Sequence, residues 1–202
     1  RTTRRLSVTE PGAAFYQRAV RIVADMLEAE EEAATHHAAP RGTLRINAPV
    51  SLGARYVAPL LAQFLERYPE MAVDLTLNDR MVDLVDEGFD VAIRVGRLPD
   101  SSLVARRLAP CPLLLCASPA YVERHGRPAA PADLASHSCL AYAYGPTRDD
   151  WVFNGPDGEV RVHTQSRFRV NNGAAIQQAL LHGLGIALQP CFIAAEDLRA
   201  GR

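Results

Sequence analysis

The sequence predicts an α/β protein, on two observations. From residue 43 onward, strand-type and helix-type hydrophobic patterns alternate, and ahead of them stands one long helical pattern with no strand in it. Residues 43–48 read as a strand, 52–68 as an amphipathic helix and 73–77 as a strand. Residues 81–88 read as a short helix with Met81, Leu84 and Val85 inward, and 91–95 as a strand. This β-α-β-α-β order implies a parallel sheet flanked by helices, with right-handed crossovers. Residues 103–108 and 113–116 are further strands, 119–125 a helix, and the proline-rich stretch 127–131 suits a crossing to another lobe. Shorter strand patterns follow at 139–142, 151–153, 160–162 and 167–170, then a helix at 173–182 and a strand at 186–189. Pro156-Asp157-Gly158 is a hairpin-turn signal between two of these strands.

The leading pattern is a helix over residues 9–38. Thr9 suits its N-cap, Glu10 and Pro11 suit its first turn, and no glycine interrupts it after Gly12. Phe15, Ala19, Ile22, Met26, Ala29 and Ala33 form one apolar stripe, and Tyr16, Val20, Val23 and Leu27 a second beside it. One chain does not easily cover so wide a face, so the helix is expected to pack on its copy in a homodimer or a tetramer; docking on its own domain is the alternative. Residues 36–42, with Pro40 and Gly42, read as a linker to a second domain over 43–202.

Composition removes several function classes. At 202 residues and 48% hydrophobic content the chain can bury a core, and the net charge of −1 is wrong for a protein that coats nucleic acid over its whole surface. All 22 basic residues are arginine, which excludes a Schiff-base lysine and a Walker-type phosphate-binding lysine together. Cys111, Cys116, Cys139 and Cys191 form no C-x-x-C pair and read as free thiols. The six histidines are scattered, so no metal and no cofactor is expected. With no long apolar run and no signal-type start, the expected address is the cytoplasm, away from membranes.

Few motifs carry chemistry. Gly183-Leu184-Gly185 follows a helix and precedes a strand, the reverse of a dinucleotide turn, and reads as a helix stop at Gly183. Ser51 stands between the first strand and its helix, and Asn171-Asn172-Gly173 repeats that arrangement. Both are helix caps, or caps that also wall one ligand cleft at the carboxyl ends of the strands. Ser51 lacks the turn of a serine nucleophile. The acidic stretch 79–90 lacks the spacing of a calcium loop and reads as a solvated helix face. Arg94 places a cation toward the cleft mouth or in a structural ion pair.

Taken together, these segments resemble the LysR-type transcriptional regulators over essentially the whole chain. The similar segments are Arg1-Thr2-Thr3-Arg4-Arg5-Leu6-Ser7-Val8-Thr9-Glu10-Pro11-Gly12, residues 79–96, and Leu98-Pro99-Asp100-Ser101-Ser102-Leu103-Val104-Ala105-Arg106. Also similar are Cys116-Ala117-Ser118-Pro119-Ala120-Tyr121 and Asn171-Asn172-Gly173 before Gly183-Leu184-Gly185-Ile186. The resemblance implies a winged helix-turn-helix, of which residues 1–8 would be the wing remnant, a dimerising linker helix, and a two-lobed effector domain like periplasmic binding proteins. Lobe one would span about 43–116 and 189–202, and lobe two about 117–188. It also implies an effector site between the lobes at Pro49, Val50 and Ser51. Further walls would be Asn78, Val95 and Gly96 from lobe one, with Tyr144, Asn171, Asn172, Gln189 and Pro190 from lobe two and the hinge; Arg94 joins them as the candidate cation.

On this reading the chain is the dimerising and effector-sensing part of a DNA-binding regulator, and no enzyme. The recognition helix that would precede Arg1 is missing, and the chain stops where the family runs on into another strand, so it looks like a fragment. Arg1, Arg4 and Arg5 would touch DNA phosphate or the minor groove. The effector is expected to be a small organic acid or an aromatic metabolite, an anion being favoured by the helix starts at Ser51 and Asn172. The rival readings are a solute-binding protein of the same fold, a small hydrolase using Ser51 or a cysteine, and a regulator without a ligand.

Overall fold

The computed structural model describes residues 9, 11, 12, 15, 16, 18–20, 22, 23 and 26, and residues 39–202 apart from 99, 146–148 and 156–157. Residues 11, 12, 15, 16, 18–20, 22, 23 and 26 are helical, and Gly12 N–H donates to Thr9 Oγ1 at 3.3 Å, the capping bond expected at the start of the leading helix. The expected wing over 1–8 lies outside the described residues.

The first sheet is parallel, in the order β2-β1-β3, with β1 at Gly42–Ala48, β2 at Met71–Leu77 and β3 at Val91–Ala92. β1 pairs with β2 from Gly42↔Met71 to Ala48↔Leu77, and with β3 at Ile46↔Val91 and Asn47↔Ala92. The carboxyl end of β1 is enclosed on both faces, since Ile46, Asn47 and Ala48 are all buried, as a middle strand under crossovers requires. One crossover joins β1 to β2. It runs without a break through α1 (Val50–Leu52), a π turn (Gly53–Val57) and α2 (Ala58–Arg67), because each junction residue keeps right-handed helical dihedrals. The sequence predicts this helix but not its π turn, which shifts the phase of the residues after Leu52.

The second sheet has the order β4-β9-β5-β8: β4 at Leu113–Ala117, β5 at Cys139–Tyr142, β8 at Ser166–Val170 and β9 at Ile186–Pro190. β5 lies parallel to β8 and β9, and β4 runs antiparallel to β9 with Leu113 opposite Pro190 and Ala117 opposite Ile186. The lobe limits implied by the resemblance, 116/117 and 188/189, thus fall inside one hydrogen-bonded strand pair. β6 (Asp150–Gly155) and β7 (Gly158–His163) form a hairpin closed by Gly155↔Gly158; Pro156 and Asp157 of the expected turn lie outside the described residues.

Three helices complete this half: α3 (Pro119–His125), α4 (Gly173–Leu181) and α5 (Cys191–Arg199), with a 3-10 helix at Pro131–Ser136. Both faces of the second sheet carry core. Cys139 and Ile186 pack with Tyr121, Leu134, Trp151 and Val162 on one side, while their neighbours Leu140 and Ala187 pack with Ile176 and Leu180 of α4 on the other. Each such Leu or Ile contributes about 1.5–3 kcal/mol by leaving water. Burial pushes the Cys139 thiol up to about 11. In the folded protein Cys139 is therefore expected to resist an alkylating reagent in mildly alkaline buffer that modifies the exposed Cys111, as peptide mass spectrometry of the alkylated chain will report.

Two sequence expectations are corrected. Residues 81–88 form a single turn rather than a helix: Asp83 Oδ1 accepts from Val85 and Asp86 N–H at 3.0 and 3.1 Å, and Gly88 ends the turn at a φ of 70°. Met81 and Val85, expected inward, are exposed, while Val82, Leu84 and Phe89 are half-buried. Residues 103–108 form no strand. β3 offers only two paired residues, so a fourth strand has no ladder to join, and Val104 and Leu108 are exposed.

Candidate functional site

Three strand-to-helix junctions, β1 to α1, β8 to α4 and β9 to α5, converge on a cleft of about 270 Å³ lined by Val50, Ser51, Ala54, Arg55, Asn172, Ala174, Gln177, Phe192 and Ile193. Val50 and Ser51 lie in α1, Ala54 and Arg55 in the π turn that follows it, Asn172 one residue ahead of α4, Ala174 and Gln177 in its first two turns, and Phe192 and Ile193 in the first turn of α5. Helix starts present unpaired N–H groups and the positive end of the helix dipole, so the cleft floor favours negative charge.

The α1 start departs from expectation. Ser51 does not cap it: Pro49 is the N-cap, Pro49 C=O accepts from Gly53 N–H at 2.7 Å, and the Val50 N–H is taken by Asp79 Oδ1 at 2.9 Å. An aspartate brought in from the end of β2 satisfies the helix, which leaves the Ser51 hydroxyl inside the first turn. Ser51 Oγ is buried with no hydrogen-bond partner. At the α4 start the expected cap is present, Asn172 Oδ1 accepting from Ala175 N–H at 3.0 Å.

The cation on the cleft wall is Arg55, one helical turn beyond Ser51. It pairs with Glu196 of α5, and that carboxylate pushes its guanidinium further up; Tyr56 OH beside it donates to Phe192 C=O at 3.3 Å. The pair joins the β1–β2 crossover to α5 across one end of the cleft. Burial of Tyr142, with Asp79 and Tyr144 nearby, pushes its hydroxyl up to about 12.

Of the residues expected at the site, Val50, Ser51 and Asn172 line the cleft. Pro49 and Pro190 are the N-caps of α1 and α5, one and two residues behind the wall residues Val50 and Phe192. Asn78 N–H donates to Ala48 C=O at 2.9 Å and its Oδ1 accepts from Arg80 N–H at 2.8 Å, which commits it to the end of β2. Tyr144 OH accepts from Asn171 Nδ2 at 3.4 Å, off the cleft wall. Gln189 is buried, donating from Nε2 to Gly173 C=O at 3.2 Å, with Oε1 unpaired beside a separate cavity of about 30 Å³, room for one water. Val95 and Gly96 follow β3 on an exposed segment. Arg94 is neither at the cleft nor in an ion pair among the described residues: its Nη1 donates to Asn47 Oδ1 at 2.5 Å and to Ile93 C=O at 3.2 Å, and burial lowers its pKa. Arg1, Arg4 and Arg5 lie outside the described residues.

The sequence reading missed Ala54, Arg55, Ala174, Gln177, Phe192 and Ile193. A signal for Arg55 was present, because the residue four after a wall residue shares its helix face. Phe192 and Ile193 follow a third strand-then-helix junction of the kind used to pick out Ser51 and Asn172. Among the described residues no group of histidine, cysteine or carboxylate side chains is arranged to hold a metal.

Comparison with known proteins places this geometry. Residues 37–202 match a family model described as the LysR substrate binding domain. The whole chain is 35% identical over 201 residues to an uncharacterized HTH-type transcriptional regulator of Haemophilus influenzae, covering 70% of it. It is 34% identical over 202 residues to the HTH-type transcriptional regulator CrgA of Neisseria meningitidis, covering 67% of that protein. Among solved structures, CrgA of Neisseria meningitidis, a LysR-type transcriptional regulator, superposes with a TM-score of 0.72 at 33% identity over 100% of this chain and 68% of that one. The full-length Vibrio cholerae virulence activator AphB also reaches a TM-score of 0.72, at 31% identity over the same shares. The chain spans 60–70% of the length of the curated relatives it matches.

Proposed function

The chain belongs to the LysR family of transcriptional regulators, as its substrate-binding regulatory domain with the two-lobed periplasmic-binding-protein-like fold, and on that premise we propose that it senses a small organic acid in the cleft where α1, α4 and α5 begin. The observation that carries this reading is Ser51, a cleft-lining residue whose Oγ is buried and unpaired. A buried hydroxyl without a partner costs about 1–3 kcal/mol, and a ligand oxygen in the cleft removes that cost. Arg55 and the helix starts of α4 and α5 supply the attraction for a carboxylate, while Val50, Ala54, Ala174, Phe192 and Ile193 receive an apolar or aromatic body. Ser51 acts as a binding group and not as a nucleophile, since no base hydrogen-bonds it among the described residues. The matches to regulators favour this reading over a solute-binding protein.

An anion that reaches Arg55 competes with Glu196, and loosening that pair frees α5 from the β1–β2 crossover. The antiparallel pair β4 and β9 serves as the hinge about which the lobes then move. Isothermal titration with a panel of small aliphatic and aromatic carboxylates tests the site. Binding by at least one of them that Ser51→Trp removes is the expected outcome; a panel without binders, or binding that survives Ser51→Trp, would sink the assignment.

The whole protein, on this proposal, dimerises through the leading helix and reads DNA through a winged helix-turn-helix ahead of it, with Arg1, Arg4 and Arg5 on phosphate or in the minor groove. Support comes from Phe15, Tyr16, Ile22, Val23 and Met26, helical residues that are more than half exposed in the single chain. A second copy of the same helix covers such a face most simply. Sedimentation of the chain with and without residues 1–40 is expected to give a dimer and a smaller species respectively. Equal oligomeric states would remove the helix from that role.

A further inference from the structure

Cys111 and Cys191 are far apart in sequence and adjacent in the fold. The β4–β9 ladder ends at Leu113↔Pro190, and one step further out Cys191 N–H donates to Pro112 C=O at 3.0 Å, so the approach to β4 and the first turn of α5 run side by side. The Cys191 thiol and the N–H groups of Cys191 and Phe192 are among the neighbours that act on the Cys111 thiol. The register sets Pro112 opposite Cys191, so Cys111 stands one residue along from the facing position on the neighbouring backbone; a disulfide bridges Cα atoms roughly 4.4–6.8 Å apart. Neither residue belongs to the two core clusters or lines the cleft, whereas Cys139 is in one core cluster and Cys116 packs against the other, with its thiol on Leu114 C=O at 3.5 Å. Cys111 is exposed, open to a small oxidant.

We propose that Cys111 and Cys191 form an oxidation site, which a hydroperoxide converts to a disulfide strapping the approach to β4 onto the first turn of α5. The Cys111 thiolate attacks one oxygen of hydrogen peroxide; a sulfur–oxygen bond forms, the O–O bond breaks, and the departing hydroxide takes the thiol proton and leaves as water. Cys191, as thiolate, attacks the resulting sulfenic sulfur; the S–S bond forms, the S–O bond breaks, and the second hydroxide leaves as water with the Cys191 proton. Two thiols give up two electrons in all, and one peroxide accepts them. The two helix N–H groups hold the thiolate form of Cys111. Burial and the neighbouring Cys191 act against it and push the thiol up, so the reaction quickens as pH rises. The next two residues after Cys191, Phe192 and Ile193, form a wall of the cleft, so the strap restricts a surface that the effector reading requires to move. That consequence rests on the effector reading; the modification itself does not.

The test treats the reduced, folded chain with hydrogen peroxide in mildly alkaline buffer, blocks remaining thiols, and maps peptides by mass spectrometry without reduction. The expected result is a Cys111–Cys191 linked peptide pair, loss of two of the four thiols, and their recovery with a dithiol reductant. In Cys191→Ser the link is expected to vanish and Cys111 to be trapped as sulfenic acid by a dimedone-type probe. Four surviving thiols, a link through Cys116 or Cys139, a link between two chains, or Cys111 driven to sulfinic acid beside an untouched Cys191 would each overturn the proposal. If the variant fails to fold, the wild-type peptide map decides alone.

Discussion

Ser51→Ala is expected to move stability and binding in opposite directions, and Ser51→Trp to abolish binding. The native hydroxyl is buried without a partner, so its removal relieves a desolvation cost of about 1–3 kcal/mol, and Ser51→Ala without ligand should unfold at a higher denaturant concentration than the parent. The same change deletes one hydrogen bond to the bound effector, worth about 0.5–1.5 kcal/mol, or roughly a 2- to 12-fold weaker Kd. Ser51→Trp acts by volume. An indole on the first turn of α1 occupies much of a cleft of about 270 Å³ and faces Asn172 and Phe192, leaving an organic acid little room. The expected loss is at least about 100-fold in affinity, about 2.7 kcal/mol. Chemical denaturation and calorimetric titration of the two variants check both signs. If Ser51→Ala destabilises the free protein, the hydroxyl has a partner within the chain and the site loses its main support.

The local parts of this fold were legible in the sequence and the long-range parts were not. β1, α3 and α4 fall where the sequence pattern puts them, and the caps read for α4, Asn172 and Gly183, act within four residues of themselves; Ser118, which the sequence reading did not single out, caps α3 in the same local way. Gly183 has the left-handed φ of 71° that a helix stop requires. Residues 81–88 and 103–108 misled because hydrophobic pattern reports what an element would bury if it formed. Whether a partner ladder or a second turn exists to hold it is settled elsewhere in the chain. The site shows the same division. Asn172 and Ser51 were found from junction logic and Val50 from the family resemblance, but Asp79 displacing Ser51 as the cap, Arg55 meeting Glu196 and Arg94 turning back onto Asn47 are contacts between segments tens of residues apart. No spacing rule encodes them.

Gly185 shows what the sequence reading passed over, and Gly185→Ala is expected to be among the most damaging single-methyl changes in the chain. Its φ is not left-handed, so the requirement is for space. A Cβ at this position would overlap the carbonyl oxygen of Ser138 and press on Leu140, and neither yields easily. Ser138 C=O accepts from Ile186 N–H at 2.8 Å and Ser138 N–H donates to Tyr121 OH at 3.0 Å, so the backbone in the way is pinned between β9 and the core tyrosine. Tyr121 OH also meets His137 Nδ1 at 3.1 Å, which leaves the hydroxyl no second position. Moving Ser138 therefore costs overpacking strain, about 1–3 kcal/mol, together with about 1 kcal/mol for each buried hydrogen bond that lengthens. The total of about 3–5 kcal/mol is a large share of the 5–15 kcal/mol that holds a typical domain together. Gly53→Ala is the informative contrast, because the atom it would meet is the far end of the Leu77 side chain, which can turn aside. Equilibrium denaturation should therefore rank Gly185→Ala well below Gly53→Ala in stability. A Gly185→Ala protein within about 1 kcal/mol of the parent would mean that β5 and β9 are less tightly docked than Ser138 implies.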